Sequence, residues 1–263
     1  MIQPSLSKQA LQITNNKTLR YRIDTAEKDY FLTLVSKIIN ESELGKKLVF
    51  KGGTAIHHCY LPQLRFSEDL DFSSATQDIT VDEVQAVFAP YDFLEVKDTY
   101  KSKATIKIQR LKYSGVLDQP NSLKVEIDFI QNIVLPARTL PYNNVWGVDV
   151  SVSVMDEREI CAEKIRAMSD RARFRDFFDF YLLMEKYHFD LTEVLDLLRK
   201  KEIRKIISTE SILANFKQAT ANKQDELGLI FYKQDDFESD DKIQTLLESF
   251  KFEPIPVNSV FQK

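Results

Sequence analysis

The period of the hydrophobic pattern changes near residue 150, and this change limits the folds that the chain can adopt. Before it, apolar and polar residues alternate over Thr105–Tyr113 and Leu123–Ile130, as they do in half-buried strands. After it, apolar residues recur at the spacing of amphipathic helices. We therefore predict an α+β fold, with a mixed-sheet domain over residues 1–150 and a helical domain over residues 151–263.

Composition excludes several classes of protein. With 43% hydrophobic residues, the chain of 263 residues has ample material for a buried core, so it is not a disordered protein. No run approaches the roughly 18 apolar residues of a membrane span, and the N-terminus has no signal-peptide pattern. A net charge of −4 argues against nonspecific coating of nucleic acid. We expect a cytoplasmic protein with no membrane partner.

Charge is nevertheless unevenly distributed along the chain. Arg199–Lys205 is strongly basic, whereas Asp235–Asp241 is strongly acidic. Such runs are usually solvated helix faces. A local basic patch on an acidic protein would also suit one defined polyanion.

Two adjacent glycines follow a short apolar run that ends at Phe50. Gly52, Gly53 and Thr54 are then predicted to begin a helix. Because glycine has no β-carbon, the backbone N–H groups at this end of the helix would be accessible to a ligand. An anion such as a triphosphate would suit this position, and the Thr54 hydroxyl would add a donor. The alternative is an ordinary Gly-Gly turn, and no Walker-type loop is present.

Two acids separated by one leucine follow about a helix-length later. In a strand Asp69 and Asp71 project to the same side, roughly 6–7 Å apart, and can bracket divalent cations. The alternative is a strand with acids on its wet face, and sugar transferases also use an Asp-x-Asp metal site. On a later strand Glu126 and Asp128 share one face, and either acid would complete a trio if the two strands are neighbours.

A third feature is a row of cations in the helical half. If the helix through Ser169 is continuous, Lys164, Arg171 and Arg175 form one stripe with Asp179 on its flank. Such a stripe would suit a polyphosphate. A salt-bridge network between domains is the alternative.

The motifs "KGGTA", "RFSEDLDF", "KVEI" and "EKIRAMSDRARFRDFFDFYLL" occur in this order. Together they resemble the AbiEii/AbiGii-type nucleotidyltransferase family, known as toxins of abortive-infection toxin–antitoxin systems. The resemblance implies a DNA polymerase β-like core that uses NTP and Mg²⁺, with two ions expected. It covers the chain from about residue 24 to residue 187.

The resemblance also implies roles for individual residues. Asp69 and Asp71 match the family's metal ligands, Glu126 best matches its strand acid, and Asp128 remains an alternative. Lys164 matches a lysine poised for the phosphates. The residues that match the family's nucleotide-binding motifs, including the lead-in to the acid pair, are Gly52, Gly53, Thr54, Arg65, Ser67, Arg175, Asp176 and Asp179.

These observations predict a Mg²⁺-dependent nucleotidyltransferase that moves NMP from an NTP to an acceptor hydroxyl. The family's toxins make the 3′ end of tRNA the favoured acceptor, with Arg199–Lys205 as a landing patch and a cognate antitoxin encoded nearby. The helical domain would complete the nucleotide site and select the acceptor. The acidic stretch Asp235–Asp241 favours instead a cationic small molecule such as an aminoglycoside. A non-catalytic partner-binding protein is the alternative from another class.

Overall fold

The computed structural model describes residues 2–74, 76–229 and 240–259. The chain divides into two compact units. Unit 1 comprises Met1–Ile133 and Ala137–Met155, and unit 2 comprises Val134–Pro136 and Asp156–Lys263. The predicted boundary at residue 150 is therefore placed one strand too early, because Ser151–Val154 pairs with the sheet of unit 1.

Unit 1 contains a seven-stranded mixed sheet with the strand order β3-β4-β5-β2-β1-β7-β6. Strand β2 runs antiparallel to β1 and parallel to β5, and β1 runs parallel to β7. Strands β4 and β5, both predicted from their alternation, form an antiparallel pair. The strands are β1 (Leu48–Lys51), β2 (Asp69–Ser74), β3 (Leu94–Lys101), β4 (Thr105–Tyr113), β5 (Asn121–Asp128), β6 (Arg138–Pro141) and β7 (Ser151–Val154).

Strand register divides the central sheet into an apolar face and a polar face. Phe50, Phe72, Ile127 and Ile106 are in register across β1, β2, β5 and β4, and all four are buried. The residues immediately before and after each of these four project from the opposite face of the sheet, because side chains alternate along a strand. The apolar row anchors the core of unit 1, and the neighbouring row is free to carry chemistry.

Helices of unit 1 cover the apolar face. The aromatic ring of Phe31 on α2 stacks on that of Tyr113 on β4, with 4.0 Å between their centroids. Helix α4 begins after Thr80, whose hydroxyl accepts the N–H of Glu83 and so caps the helix. These helices are α1 (Lys8–Lys17), α2 (Ile23–Glu41), α3 (Gly52–Ala55) and α4 (Val81–Phe88), with a 3₁₀ turn over Leu44–Lys47 and a π-helical turn over Ile56–Tyr60.

The described part of unit 2 is helical around an aromatic core. Phe177 packs against Phe216 and Phe180 against Phe250, with centroids 5.2 Å and 5.1 Å apart. Within the described residues, no helix is both long and apolar enough to cross a bilayer. The helices are α5 (Glu157–Asp170), α6 (Phe174–Tyr187), α7 (Leu191–Arg199), α8 (Thr209–Ala221), α9 (Lys223–Leu229) and α10 (Asp240–Ser249).

Two expectations about charge change with the structure. The predicted basic patch loses Lys201, which is buried and pairs with Glu159 and with Glu163, the latter at 3.1 Å. It is an internal counter-charge and not a surface cation. The predicted acidic stretch lies mostly outside the described residues, because residues 235–239 fall in the gap before α10.

Candidate functional site

The polar row of the sheet gathers the predicted acids. Asp71 on β2 is in register with Lys51 on β1 and with Glu126 on β5, and Glu126 is in register with Lys107 on β4. Asp69 lies two residues earlier on β2, so its side chain projects from the same face. We call the three carboxylates Asp69, Asp71 and Glu126 the acid face.

Like charges dominate the surroundings of Asp71. The pKa of its carboxyl is raised to about 6, mainly by burial and then by the charges of Asp69 and Glu126, which outweigh the lowering effect of Lys51 and Lys124. A group of carboxylates that repel one another is stabilised by a bound cation. The raised pKa of Asp71 is therefore the electrostatic sign of a site built for positive charge.

The third acid of the face is Glu126 by its position in the sheet. Asp128 lies opposite Ser73, one row away, and its carboxylate accepts from Lys51 Nζ at 2.9 Å and from the N–H of Ile130 at 2.8 Å. Asp128 thus holds a lysine and the turn after β5. The sequence leaves open which of the two acids completes the trio of carboxylates, and the strand register favours Glu126.

Lysines on neighbouring strands contact the acid face. Lys107 Nζ lies 2.8 Å from Glu126 Oε1, and Lys124 Nζ lies 3.8 Å from Asp69 Oδ2 and 3.9 Å from Glu126 Oε2. Among the described residues, no three His, Cys, Asp or Glu side chains are already arranged to hold a metal ion. The donor set nevertheless suits Mg²⁺, because carboxylate oxygens are its preferred protein ligands. To bind a metal ion, Asp69 and Glu126 would have to give up their contacts with Lys107 and Lys124.

The two glycines allow the backbone to pass close to the acid face. Gly52 has φ +79°, and a β-carbon there would lie 2.7 Å from Asp71 Oδ2. A β-carbon on Gly53 would collide with the guanidinium of Arg65 and lie 2.7 Å from Ser67 Oγ. Gly52 is needed for its positive φ and for the close approach of Asp71, and Gly53 leaves room for the side chains of Arg65 and Ser67 at the start of α3. The structure thus brings together the predicted residues of this part of the chain.

Thr54 and Arg65 also make structural hydrogen bonds that the sequence did not indicate. Thr54 is buried, and its hydroxyl donates to the carbonyl oxygen of Asp69 at 2.5 Å. In this structure the hydroxyl hydrogen is thus engaged within the chain and helps to fix the start of β2, and the role of Thr54 as a phosphate donor stays a prediction. Arg65 is also buried, and its Nη1 donates to the carbonyl oxygen of Phe66 at 3.0 Å.

Unit 2 holds a compact, charge-balanced group, which we call the Lys164 cluster. Lys164 Nζ lies 2.9 Å from Asp176 Oδ1 and 2.7 Å from Asp179 Oδ2, and Arg171 Nε lies 2.8 Å from Asp176 Oδ2. Burial opposes ionisation of Asp176, but the charges and hydrogen bonds of Lys164 and Arg171 outweigh it and hold its pKa well below the usual range.

The predicted stripe of cations does not form. Helix α5 ends at Asp170 and α6 begins at Phe174, so the condition of one continuous helix fails. The backbone at Arg171 is extended, and this residue turns back to pair with Asp176. Arg175 lies in the first turn of α6, where its backbone N–H donates to Glu226 at 2.9 Å.

Sequence reasoning missed the lysines of the polar row. Lys51, Lys107 and Lys124 alternate with core residues on β1, β4 and β5, just as the acids do. The same alternation that places the acids on one face therefore also places these lysines. Their pairing with particular acids depends on the strand order, which the sequence does not give.

Comparison with known proteins identifies relatives over most of the chain. The family model described as nucleotidyl transferase AbiEii toxin, type IV TA system, matches residues 33–253. Among proteins with curated descriptions, none matches the sequence significantly.

Solved structures show the same fold at low sequence identity. MenT4, a nucleotidyltransferase toxin from Mycobacterium tuberculosis H37Rv, is 20% identical with a TM-score of 0.55, and the match covers 88% of this chain and 80% of that one. JHP933 from Helicobacter pylori is 17% identical with a TM-score of 0.56, and the match covers 86% and 92%. These likenesses confirm the predicted fold class, a mixed-sheet core followed by helices.

Proposed function

This chain belongs to the AbiEii family of nucleotidyltransferase toxins of type IV toxin–antitoxin systems, and we propose that it uses Mg²⁺ to move NMP from an NTP to the 3′ end of tRNA. Family membership implies an NTP substrate and an antitoxin partner. The alternative of a non-catalytic binding protein is set aside, because the family is one of enzymes. We further propose abortive infection as its biological setting.

One observation carries the proposal. Asp71 is in register with Glu126 and lies against the Gly52 backbone, so the carboxylates suited to cations and the glycine turn that opens α3 are adjacent. A nucleoside triphosphate with its metal ions presents both charges at once. The acid face and the two glycines therefore suit a metal–triphosphate substrate better than a free anion or a free cation.

The residues of unit 1 would divide the work in a simple way. Asp69, Asp71 and Glu126 would hold two Mg²⁺ ions, which when bound activate the attacking hydroxyl and stabilise the leaving pyrophosphate. Gly52 and Gly53 would let the triphosphate approach the backbone at the start of α3. Arg65, packed against Gly53, would keep positive charge beneath the phosphates.

Lys164 of unit 2 would supply a fixed positive charge to the phosphates. An ammonium group has three N–H bonds, and Asp176 and Asp179 accept two of them at salt-bridge distance. The third N–H remains for a phosphate oxygen. In this proposal the two aspartates position Lys164, and Arg175 adds a second cation from the first turn of α6.

The acceptor is the less constrained part of the proposal. With Lys201 buried, the exposed cations of the predicted landing patch reduce to Arg199, Lys200, Arg204 and Lys205, and Arg199 pairs with Asp196 at 2.7 Å. A reduced patch still provides contacts for phosphates of RNA. The 3′ end of tRNA offers the hydroxyl that nucleotidyl transfer requires.

The proposal is tested by label transfer. The protein is incubated with Mg²⁺, total tRNA and each α-³²P-labelled NTP in turn, beside Asp69→Asn/Asp71→Asn. A second double variant, Asp82→Asn/Asp92→Asn, removes the same charge from exposed positions of unit 1. We expect label on tRNA with the wild type and with the exposed-site variant only.

The outcomes separate the parts of the proposal. Label on tRNA that persists in Asp69→Asn/Asp71→Asn would contradict the assigned site. Absence of labelled tRNA, together with label on protein or on a small molecule in a crude extract, would contradict tRNA as the acceptor and retain the nucleotidyltransferase.

A further inference from the structure

The strand register that aligns Asp71 with Glu126 continues outward to an exposed tyrosine. Beyond Glu126 on β5, the next residue in register is Lys107 on β4, followed by Tyr100 on β3, which is an edge strand of the sheet. Residues opposite each other on neighbouring strands project from the same face. Since adjacent strands lie about 4.8 Å apart, the backbone of Tyr100 lies roughly 10 Å from that of Glu126. The ring of Tyr100 is therefore within reach of a nucleotide held at the acid face.

Tyr100 is unusually open for an aromatic residue of this chain. It is 50% exposed, whereas every other tyrosine, phenylalanine and tryptophan whose burial the structure describes is buried or half-buried. An exposed ring gives up the free energy of hydrophobic burial. It also offers a flat apolar surface on which a nucleic-acid base can stack. The position of Tyr100 beside the acid face therefore favours a role in binding.

The hairpin that carries Tyr100 is basic, although the whole chain has a net charge of −4. Residues 94–113 contain six basic side chains and two acidic ones. A polyanion is the partner that such a surface favours. The basic residues are Lys97, Lys101, Lys103, Lys107, Arg110 and Lys112, and the acids are Glu95 and Asp98.

Cations at the inner end of this surface depend on the acid face for their partners. Lys107 Nζ lies 2.8 Å from Glu126 Oε1, and Lys124 Nζ lies 3.8 Å from Asp69 Oδ2. A metal ion that binds Glu126 and Asp69 would release both ammonium groups from these contacts. A phosphate group lying between the acid face and Tyr100 would then be a suitable new partner for the two lysines.

We propose that Tyr100, Lys107 and Lys124 form the acceptor subsite, and that its ligand is the single-stranded 3′ end of an RNA. The ring of Tyr100 stacks on the base of one of the last two nucleotides, and the two lysines bind the phosphate that joins them. The inference rests on the proposed function, because it places the terminal hydroxyl at the metal ions of the acid face. The triphosphate approaches from the side of Gly52 on β1, and the acceptor approaches from the side of β4.

An edge strand can also carry lysines for a different reason. Exposed cations keep the edges of two sheets from pairing, and Tyr100 would then have no ligand. This alternative predicts that changes at Tyr100 and Lys107 alter aggregation and leave RNA binding unchanged. An acceptor subsite predicts RNA binding that depends on the terminal bases and on salt.

The test measures binding of a short single-stranded oligoribonucleotide, labelled at its 5′ end, by fluorescence anisotropy with Mg²⁺ and without NTP. We expect Tyr100→Ala to weaken binding about tenfold, the effect of one stacked base, and Tyr100→Phe to bind as the wild type does. Ile13→Ala, which truncates an exposed apolar residue of α1, is the matched control and should also bind as the wild type does. Absence of binding by the wild type, or equal affinity of the wild type and Tyr100→Ala, would overturn the proposal.

A second oligoribonucleotide, whose last two nucleotides lack bases, identifies the stacking partner. The wild type should bind it about tenfold more weakly than the complete oligoribonucleotide, because the stacked base is missing. Tyr100→Ala should bind it as the wild type does, since neither protein can stack on an absent base. A tenfold further loss in Tyr100→Ala would contradict stacking of Tyr100 on these bases.

The lysines are tested by the salt dependence of binding at a constant Mg²⁺ concentration. Loss of one phosphate contact in Lys107→Gln should make the slope of log K against log salt less steep, by up to about 0.7. Lys46→Gln is the control, because Lys46 also pairs with a glutamate, Glu43 at 2.6 Å, and precedes β1 at the end of this strand opposite to Gly52. A wild-type slope for Lys107→Gln would contradict its phosphate contact.

Steady-state label transfer separates failure of this inference from failure of the proposed function. Tyr100→Ala should raise the KM for tRNA and leave the KM for NTP unchanged. Label transfer in which Tyr100→Ala keeps the wild-type KM for tRNA would overturn the acceptor subsite and leave the reaction standing. Tyr100-dependent binding of the oligoribonucleotide, without label transfer to tRNA, would contradict the reaction and leave the RNA-binding surface standing.

Discussion

The acid face of unit 1 and the Lys164 cluster of unit 2 combine the same kinds of side chain in opposite ways. At the acid face, carboxylates gather around Asp71 and raise its pKa to about 6, because burial and like charges oppose its ionisation. In the Lys164 cluster, two cations hold the pKa of Asp176 well below its usual range. Lys107 and Lys124 contact the first group without offsetting the like charges around Asp71, whereas the cations of the second group outweigh the cost of burying Asp176. A cation site can therefore be recognised as a cluster of carboxylates whose negative charge is not balanced by the neighbouring cations.

The largest expected effect concerns activity at the acid face. Asp69→Asn/Asp71→Asn should reduce nucleotidyl transfer by at least about 10²–10³-fold, because electrostatic stabilisation of the transition state would be lost. The fold should persist, since the change relieves repulsion between carboxylates. Initial rates of label transfer and a thermal unfolding curve measure the two quantities. Parallel loss of activity and stability would show that these acids are structural.

The next effect concerns stability of the charge-balanced cluster. Lys164→Met should lower the free energy of unfolding by about 3–5 kcal/mol, because it leaves Asp176 and Asp179 buried with less compensation. Lys217→Met, an exposed lysine on α8, should change it by less than about 0.5 kcal/mol. Urea unfolding provides the measurement. A cost below about 1 kcal/mol for Lys164→Met would remove the contrast between the two regions.

A smaller effect tests the space beside the acid face. Gly52 and Gly147 both have positive φ, at 79° and 72°, but a β-carbon on Gly147 would meet nothing within 4 Å. Gly147→Ala should therefore cost only the backbone strain, roughly 1–2 kcal/mol. Gly52→Ala should cost about 1–3 kcal/mol more, because its β-carbon would crowd Asp71. Equal losses of unfolding free energy in the two variants would mean that Asp71 can move aside without cost.

The smallest effect is the pH dependence of stability. The ordinary pKa of an aspartate is 3.8 and that of Asp71 is raised to about 6, so the folded protein holds this proton more tightly than the unfolded chain does. The resulting contribution to stability is present at low pH and is lost as the pH rises from about 4 through about 6. Above that range Asp71→Asn should be more stable than the wild type by about 1–2 kcal/mol in metal-free buffer.

The Lys164 cluster provides the control for this prediction. The lowered pKa of Asp176 means that its contribution is retained throughout this range and is lost only as the pH falls well below 4. Unfolding free energies of the wild type, Asp71→Asn and the exposed-site variant Asp92→Asn across pH 4–8 make the comparison. A constant difference between wild type and Asp71→Asn would show that Asp71 ionises normally.

Local pattern was sufficient for most of the strands and for the acid face. The alternation over Thr105–Tyr113 gives β4 residue for residue. Asp69 and Asp71 share a face because a strand has a period of two. These features depend on neighbours in sequence, which a single chain reveals.

Features that depend on distant partners were not predictable in the same way. The parallel pairing of β2 with β5, which selects Glu126 over Asp128, joins segments more than fifty residues apart. The end of α5 at Asp170 is marked by no proline or glycine, so the sequence left the continuity of the helix through Ser169 open, and Lys201 is drawn into the core by the carboxylate of Glu159. Each of these outcomes requires tertiary contacts that override the local signal.

The most direct test of the central claim is Mn²⁺ binding, which electron paramagnetic resonance can follow in the presence of NTP. Titrations of the wild type, Glu126→Gln and Asp128→Asn compare two acids on the same face of β5, of which only Glu126 is in register with Asp71. We predict that Glu126→Gln weakens Mn²⁺ binding by at least about tenfold, as expected for loss of a metal ligand. Asp128→Asn should bind Mn²⁺ nearly as the wild type does. Equal binding by all three proteins would contradict the assignment of the acid face as the metal site.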